Sequence, residues 1–321
     1  MRRRKRASRI VKFPRKRFER IVKRVLQASF RPLSRLSRSL SARFAETLFC
    51  TPPRQGYSRK DVALLASAQF RIVSSGTRSV ATWRWGSGPV VLLVHGWGGH
   101  AGRLGAFIEP LTAAGFSVVS FDAPGHGISD GTYCPLPEFV LSVRDVANAY
   151  GGASALVGHS LGATACALAV REGMAVQRAV LISPPADPEH YSARFAVILR
   201  IPAPVRDAMK ERLEKRYGFR WKDLSVVDCA RGISAPLLLF HDRGDKKVPF
   251  REGEEITRAW PGSRLIATRH LGHHRILRDA EVVRQAVGFL RGEPPAAIQV
   301  ENAAPVLAFP KAGKAVALSM G

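Results

Sequence analysis

The chain has 321 residues, 46% hydrophobic and 23% charged, with a formal net charge of +25. It is long enough to bury a large core as one α/β domain with extensions, too apolar for a disordered chain, and it lacks the run of about 18 apolar residues that a membrane-spanning helix needs. Residues 1–43 hold 17 Lys/Arg and one acid, Glu19, a net +16 that leaves +9 for the other 278 residues, so the basicity marks an arm and not a whole-molecule nucleic-acid binder.

The arm, residues 1–50, opens with Arg2 to Arg6 and continues with Phe18, Ile21, Val22, Val25, Leu26 and Phe30 at spacings of three and four. Those spacings predict an amphipathic helix with its Lys and Arg opposite the apolar face, interrupted at Pro32. A weaker period follows at Leu33, Leu36, Leu40 and Phe44. Two readings stand: the helix adsorbs to an anionic membrane surface, or it docks its apolar face on the body. The arm has no aromatic-interleaved basic pattern, which disfavours nucleic acid as a partner. It also lacks the apolar core of a secretory signal, although its Arg- and Ser-rich composition fits an organellar transit peptide as well as a bacterial basic arm. Cys50, Cys134, Cys166 and Cys229 form no CxxC pair, so no metal site is expected and a reducing, cytoplasmic setting is, with peripheral membrane attachment through the arm as an option.

Thr51-Pro52-Pro53 opens the body, residues 51–292. Ser58 and Asp61 are spaced as a capping pair for a helix over 59–68, and strands over 70–73 and 79–85 are expected to pair antiparallel at a sheet edge. From residue 89 buried strands alternate with helices: strands at 90–94, 116–121, 154–157 and 179–182, helices at 103–114, 136–150 and 161–172. The period is lost over 184–233 apart from a charged helix at 206–217, and this insertion is a candidate small lid. A strand at 236–240, a helix at 251–260, a strand at 264–267 and a helix at 280–290 complete the body. A Pro/Ala-rich tail, residues 293–321, is expected to be loosely ordered. The pattern implies a mostly parallel, doubly wound sheet with helices on both faces and its site at the carboxyl ends of the strands.

Four stretches fall at such strand ends. Gly158-His159-Ser160-Leu161-Gly162 is a GxSxG pentapeptide between a strand and a helix, where a tight turn holds a hydroxyl clear of its neighbours. Ser160 is the candidate nucleophile. His95-Gly96-Trp97-Gly98-Gly99 follows the strand at 90–94 and turns the amide of Trp97 toward the site, where with the amide of Leu161 it can receive an oxyanion. His241-Asp242-Arg243-Gly244-Asp245 supplies two carboxylates able to orient an imidazole; Asp245, three residues before Val248-Pro249, is preferred and Asp242 stays open. His270-Leu271-Gly272-His273-His274 supplies the base, with His273 preferred over His274 and His270, on a loop rather than a helix face.

With Phe121-Asp122-Ala123-Pro124-Gly125-His126-Gly127-Ile128-Ser129 added, these motifs in this order resemble the α/β-hydrolase fold family of serine hydrolases over about residues 89–290. The resemblance implies Ser160 as nucleophile, Asp245 as acid, His273 as base, and the Trp97 and Leu161 amides as oxyanion donors. Asp122 and His126 match a loop that is structural in the family. His241-Asp242 departs from the His-Gly that many members carry, which keeps Asp242 in play. A serine at the elbow argues against the aspartate-based dehalogenases and epoxide hydrolases of the fold. The expected activity is hydrolysis of a small-molecule acyl ester or thioester through an acyl-enzyme, with no metal or organic cofactor implied. The rival is a non-catalytic protein of the same fold held at anionic membranes by the arm.

Overall fold

A computed structural model of the chain describes residues 15–293; the run Arg2 to Arg6 and the tail from residue 294 lie outside the described residues. Eight strands form one sheet in the order β1-β2-β4-β3-β5-β6-β7-β8. They are β1 (Gln69–Ser75), β2 (Arg78–Trp85), β3 (Val90–Val94), β4 (Ser117–Phe121), β5 (Ala155–His159), β6 (Arg178–Ile182), β7 (Leu237–Asp242) and β8 (Arg264–Thr268). β1 and β2 pair antiparallel, as does β2 with β4, and every other pairing is parallel. The central strands β3 to β7 are buried on both faces, which is why they read as largely apolar runs, whereas the edge strands β1 and β8 are mostly exposed or half-buried. In β3, Val90, Leu92 and Val94 enter one core cluster while Val91 and Leu93 enter the other.

The helices, in chain order, are α1 (Arg15–Leu36), α2 (Arg38–Cys50), α3 (Arg59–Ala66), α4 (Ile108–Ala113), α5 (Leu136–Ala149), α6 (Leu161–Arg171), α7 (Pro188–Leu199), α8 (Ala203–Tyr217), α9 (Val226–Ala230), α10 (Phe250–Ala259), α11 (Gly272–Arg275) and α12 (Ala280–Arg291). Phe139, Cys166 and Trp260 of α5, α6 and the α10 end fill the cluster on one face of the sheet; Leu65, Leu111 and Phe289 of α3, α4 and α12 fill the other. The expected cap of α3 forms as a reciprocal pair, Asp61 N to Ser58 Oγ at 3.2 Å and Ser58 N to Asp61 Oδ2 at 2.8 Å. Where one helix was expected from 103, a 3₁₀ turn over Ala101–Phe107 leads into α4.

The insertion between β6 and β7 holds more helix than the sequence pattern indicates. In α7, Ser192, Ala196 and Leu199 are buried, Tyr191, Phe195 and Ile198 face a cavity, and Val197 is 78% exposed. A helix serving three environments shows no single apolar stripe, so its period is invisible.

The arm also departs from its periodicity. α1 runs through Pro32, and the break falls at Ser37, whose hydroxyl caps α2 by accepting from Leu40 N at 3.2 Å. Leu36 and Leu40, read as the apolar face, are 81% and 54% exposed, while the buried face of α2 is Ser41, Ala42, Ala45, Glu46 and Cys50. Small side chains let α2 lie close against α8. Phe30, Ala45 and Cys50 share a core with Val205, Met209, Leu213 and Trp221 of the insertion. Buried Glu46 accepts from Tyr133 Oη at 3.0 Å and from Arg212 Nε at 2.8 Å. A division at residue 50 therefore does not coincide with a break in packing. Ile21, Val22 and Val25 of α1 stay exposed, and among the described residues no helix is long and apolar enough to cross a membrane.

Candidate active site

The register aligns the carboxyl ends of the central strands: Val94 pairs with Gly158, Gly158 with Leu181 and Ile182 with Phe240. Ser160 leaves β5 there and begins α6 with φ 52° and ψ −128°, a backbone conformation that costs a side-chain-bearing residue on the order of 1–3 kcal/mol and marks strain held by its surroundings. The flanking glycines serve close approach. A Cβ on Gly158 would lie 2.6 Å from Ala163 Cα, and one on Gly162 would lie 2.1 Å from the His95 carbonyl oxygen. The unusual torsion sits on the serine itself.

His273 Nε2 is 3.0 Å from Ser160 Oγ, and its Nδ1 is 2.7 Å from Asp245 Oδ2. The other carboxylate oxygen, Oδ1, accepts from Lys247 N at 2.7 Å and Val248 N at 3.1 Å. Burial alone would raise the Asp245 pKa, but the bond to His273, the charge of its ring and those two amides outweigh it and hold the group at about 2. An ionised acceptor at Oδ2 puts the imidazole proton on Nδ1 and leaves Nε2 free to accept from the serine hydroxyl. His273 lies on the one-turn helix α11 rather than in a loop, placed there by the left-handed residues His270 (φ 64°) and Gly272 (φ 62°).

The alternatives occupy other places. Asp242 does not reach His273; it accepts from Gly244 N, Thr268 Oγ1 and Leu271 N, each at 2.9 Å, and so ties the loop after β7 to the loop after β8. Its burial, which would raise the pKa, is outweighed by these donors and the group is held below the ordinary value. His274 stands at the cavity mouth with its ring centre 5.0 Å from that of His273, and His270 is exposed. Asp122 accepts from Ala101 N at 2.7 Å, from Ile128 N at 2.9 Å and from Tyr57 Oη, and His126 Nδ1 meets the Pro124 carbonyl, so both shape the loop after β4.

The amides of Trp97 and Leu161 have no acceptor among the described residues. Trp97 follows Gly96, where an added Cβ would lie 2.8 Å from Ser160 Cβ, so this loop runs directly against the serine. Leu161 N is the first amide of α6, at the positive end of the helix dipole.

Sequence reasoning did not find His159. It is buried against the cavity, and its Nε2–H donates to the His273 carbonyl at 2.9 Å. Burial, then the neighbouring His273, push its pKa well below 6.5, so the ring is neutral. The serine opens into a cavity of ≈ 930 Å³ between the sheet and the insertion, and Leu48 and Phe49 of the arm form part of its wall. No spacing signal connects those two residues to a site more than 100 positions later. A second hollow of ≈ 580 Å³ beside α12 contains none of these groups. Among the described residues no group of three His, Cys, Asp or Glu is disposed to hold a metal ion.

Residues 87–228 match a family model described as serine aminopeptidase, S33. A monoglyceride lipase homolog of Monkeypox virus is 34% identical over 104 residues, which covers 30% of this chain and 38% of the viral protein, so the match spans little over a third of that relative. The esterase Pf2001 of Pyrococcus furiosus superposes with a TM-score of 0.58 at 21% identity, covering 75% of this chain and 99% of the esterase. Mouse α/β hydrolase domain-containing protein 10 superposes with a TM-score of 0.56 at 17% identity, covering 70% and 98%. Sheet order, the elbow after β5 and these likenesses agree, and the chain has the α/β-hydrolase fold.

Proposed function

We propose that the protein is a serine hydrolase that cleaves a carboxylic ester or thioester through an acyl-enzyme. The observation that carries the reading is the unbroken line Ser160 Oγ, His273, Asp245, at 3.0 and 2.7 Å, opening into the large cavity. His273 takes the hydroxyl proton as Ser160 attacks the acyl carbon, and the Trp97 and Leu161 amides receive the oxyanion, each donor of this kind being worth about 3 kcal/mol of barrier. His273 then gives its proton to the leaving oxygen or sulfur, and water, activated by the same ring, releases the acid and restores Ser160. The insertion acts as a lid, and the apolar cavity wall takes the acyl chain. The monoglyceride lipase homolog and the esterase Pf2001 are named for ester-cleaving activities, which agrees with an acyl substrate. Ser160→Ala is expected to abolish both hydrolysis of a short p-nitrophenyl ester and labelling by a fluorophosphonate, with the melting temperature kept; turnover that survives the substitution refutes the assignment.

A second property rests on α1. Ile21 and Val25 are 50% and 59% exposed beside Lys23 and Arg24, and α1 abuts the insertion through Gln27 Nε2 to the Ile198 carbonyl at 2.8 Å. A basic helix with an exposed apolar strip suits the interface of an anionic bilayer, which would hold the enzyme at a membrane as a peripheral protein. The four cysteines are unpaired, in keeping with a reducing, cytoplasmic setting.

A further inference from the structure

The lining of the cavity combines two chemistries. Leu48, Phe49, Phe195, Leu213, Phe219 and Trp221, from α2 and the insertion, supply apolar wall. The loops that follow β3, β7 and β8, together with α7, contribute six cations to the same cavity: Arg103, Arg194, Lys246, Lys247, Arg275 and Arg278. No aspartate or glutamate lines it among the described residues.

These cations differ from others on the molecule. Arg144, Arg206, Arg212 and Arg284 each face a carboxylate, at 3.0, 2.8, 2.8 and 2.5 Å. Among the described residues none of the six has a carboxylate partner. Arg194 donates only to the Lys247 carbonyl at 3.2 Å, and Arg275 only to the carbonyls of His270 and Leu271. Among the described residues the side chains of Arg103, Lys246, Lys247 and Arg278 make no hydrogen bond or ion pair. Like charges gathered without ion-pair partners repel one another and raise the local potential, and a cleft with low-dielectric walls focuses that field. His274, which lines the same cavity beside His273, is held at about 4 by burial, then by the charges of His273, Lys247 and Arg103.

Resting on the hydrolase reading above, we infer that the substrate is an acyl ester or thioester whose leaving group carries phosphate, the acyl chain lying against the apolar wall and the phosphate against the cations. Arginine forks and lysine ammonium groups are the side chains that bind phosphate oxygens, and six without a carboxylate partner exceed what one carboxylate would need. The step balances without a co-reactant. Ser160 Oγ bonds to the acyl carbon, the bond to the phosphate-bearing alcohol or thiol breaks, and that group departs with the proton held by His273; water then yields the free acid.

Two sources supply such a group, a glycerol phosphate and a phosphorylated thiol, and matched soluble pairs separate them. Turnover of hexanoyl-glycerol 3-phosphate is compared with that of hexanoyl-glycerol, and turnover of hexanoyl-coenzyme A with that of hexanoyl-pantetheine. At least a tenfold higher kcat/KM for the phosphorylated member is expected in one pair, shrinking as ionic strength rises. Lys246→Gln combined with Arg278→Gln is expected to lower that ratio at least tenfold, and because neither side chain has a partner among the described residues the melting temperature serves as control. The pair that shows the preference names the source. Ser160-dependent turnover with no preference in either pair overturns the inference and leaves the hydrolase reading standing, as does a preference that the double variant leaves unchanged, or variants that alter only binding to anionic vesicles. Absence of turnover in all four, with no fluorophosphonate labelling of Ser160, overturns both.

Discussion

Asp242, at the end of β7, and Asp245, three residues on in the loop that follows, have different partners, and their substitutions separate scaffold from chemistry. Asp245→Asn keeps the size of the side chain but replaces the acceptor facing His273 Nδ1, so the wrong tautomer of the imidazole is favoured; kcat is expected to fall roughly 10⁴-fold with stability little changed. Asp242→Asn weakens acceptance from Gly244, Thr268 and Leu271 and is expected to cost about 1–3 kcal/mol in urea denaturation, with a smaller loss of kcat. His159→Phe keeps an aromatic ring but removes the donor to the His273 carbonyl. Because that bond holds the backbone that carries the His273 ring, a shift there of under an ångström is expected, on the proposed mechanism, to lower kcat by about 10- to 100-fold while KM stays within about twofold. The motifs made Ser160, Asp245 and His273 legible, since their order and strand-end placement are properties of sequence. The bond from His159 was not, because a ring donating to a carbonyl 114 residues away leaves no spacing pattern.

At the scale of elements, the sheet was readable because strands covered on both faces must be apolar throughout, as Val90 to Val94 and Leu237 to Phe240 are. The arm and the insertion were not, because each makes sense only against the other. α2 buries Ala42, Ala45 and Glu46 and leaves Leu40 exposed, the reverse of what hydrophobicity alone selects. Glu46 is the test of that interface. Glu46→Ala strips the acceptor from Tyr133, Arg212 and Arg216, but the arginines are 39% and 58% exposed and water screens them, so the expected loss is about 1–2 kcal/mol and not the larger cost of an orphaned buried charge. Looser contact between α2 and α8 is also expected to raise KM for long acyl substrates, since Leu48 and Phe49 wall the cavity. Ile21→Glu, at an exposed position, is expected to leave urea stability within about 0.5 kcal/mol and to lower binding to anionic vesicles, a result that separates the two halves of the arm.

Across the whole molecule, the carboxyl end of the sheet is built on neutral imidazoles. His95 accepts from Ala123 N at 3.0 Å and burial holds it at about 4; burial holds His126 at about 3; His159 lies well below 6.5. Unfolding frees all three to titrate near 6.5, so between about pH 6 and 4.5 the unfolded chain binds more protons than the folded one. A folded-state pKa depressed below that of the unfolded chain makes a basic group stabilising above the unfolded value, and the contribution drains away as pH falls toward the folded value. The expected slope is about 1.4 kcal/mol of stability lost per pH unit for each imidazole, or roughly 4 for the three. Asp245, held at about 2, adds a loss of the same sign only below its unfolded value near 3.9, while Glu252, raised by burial, offsets part of the slope around its own titration. Urea denaturation at half-unit intervals from pH 7 to 4.5 gives the proton uptake directly. Uptake of two protons or more on unfolding near pH 5 is expected, and uptake below one would mean that these rings are charged in the folded protein, which would take from His95 the acceptor role that anchors the loop beside Ser160.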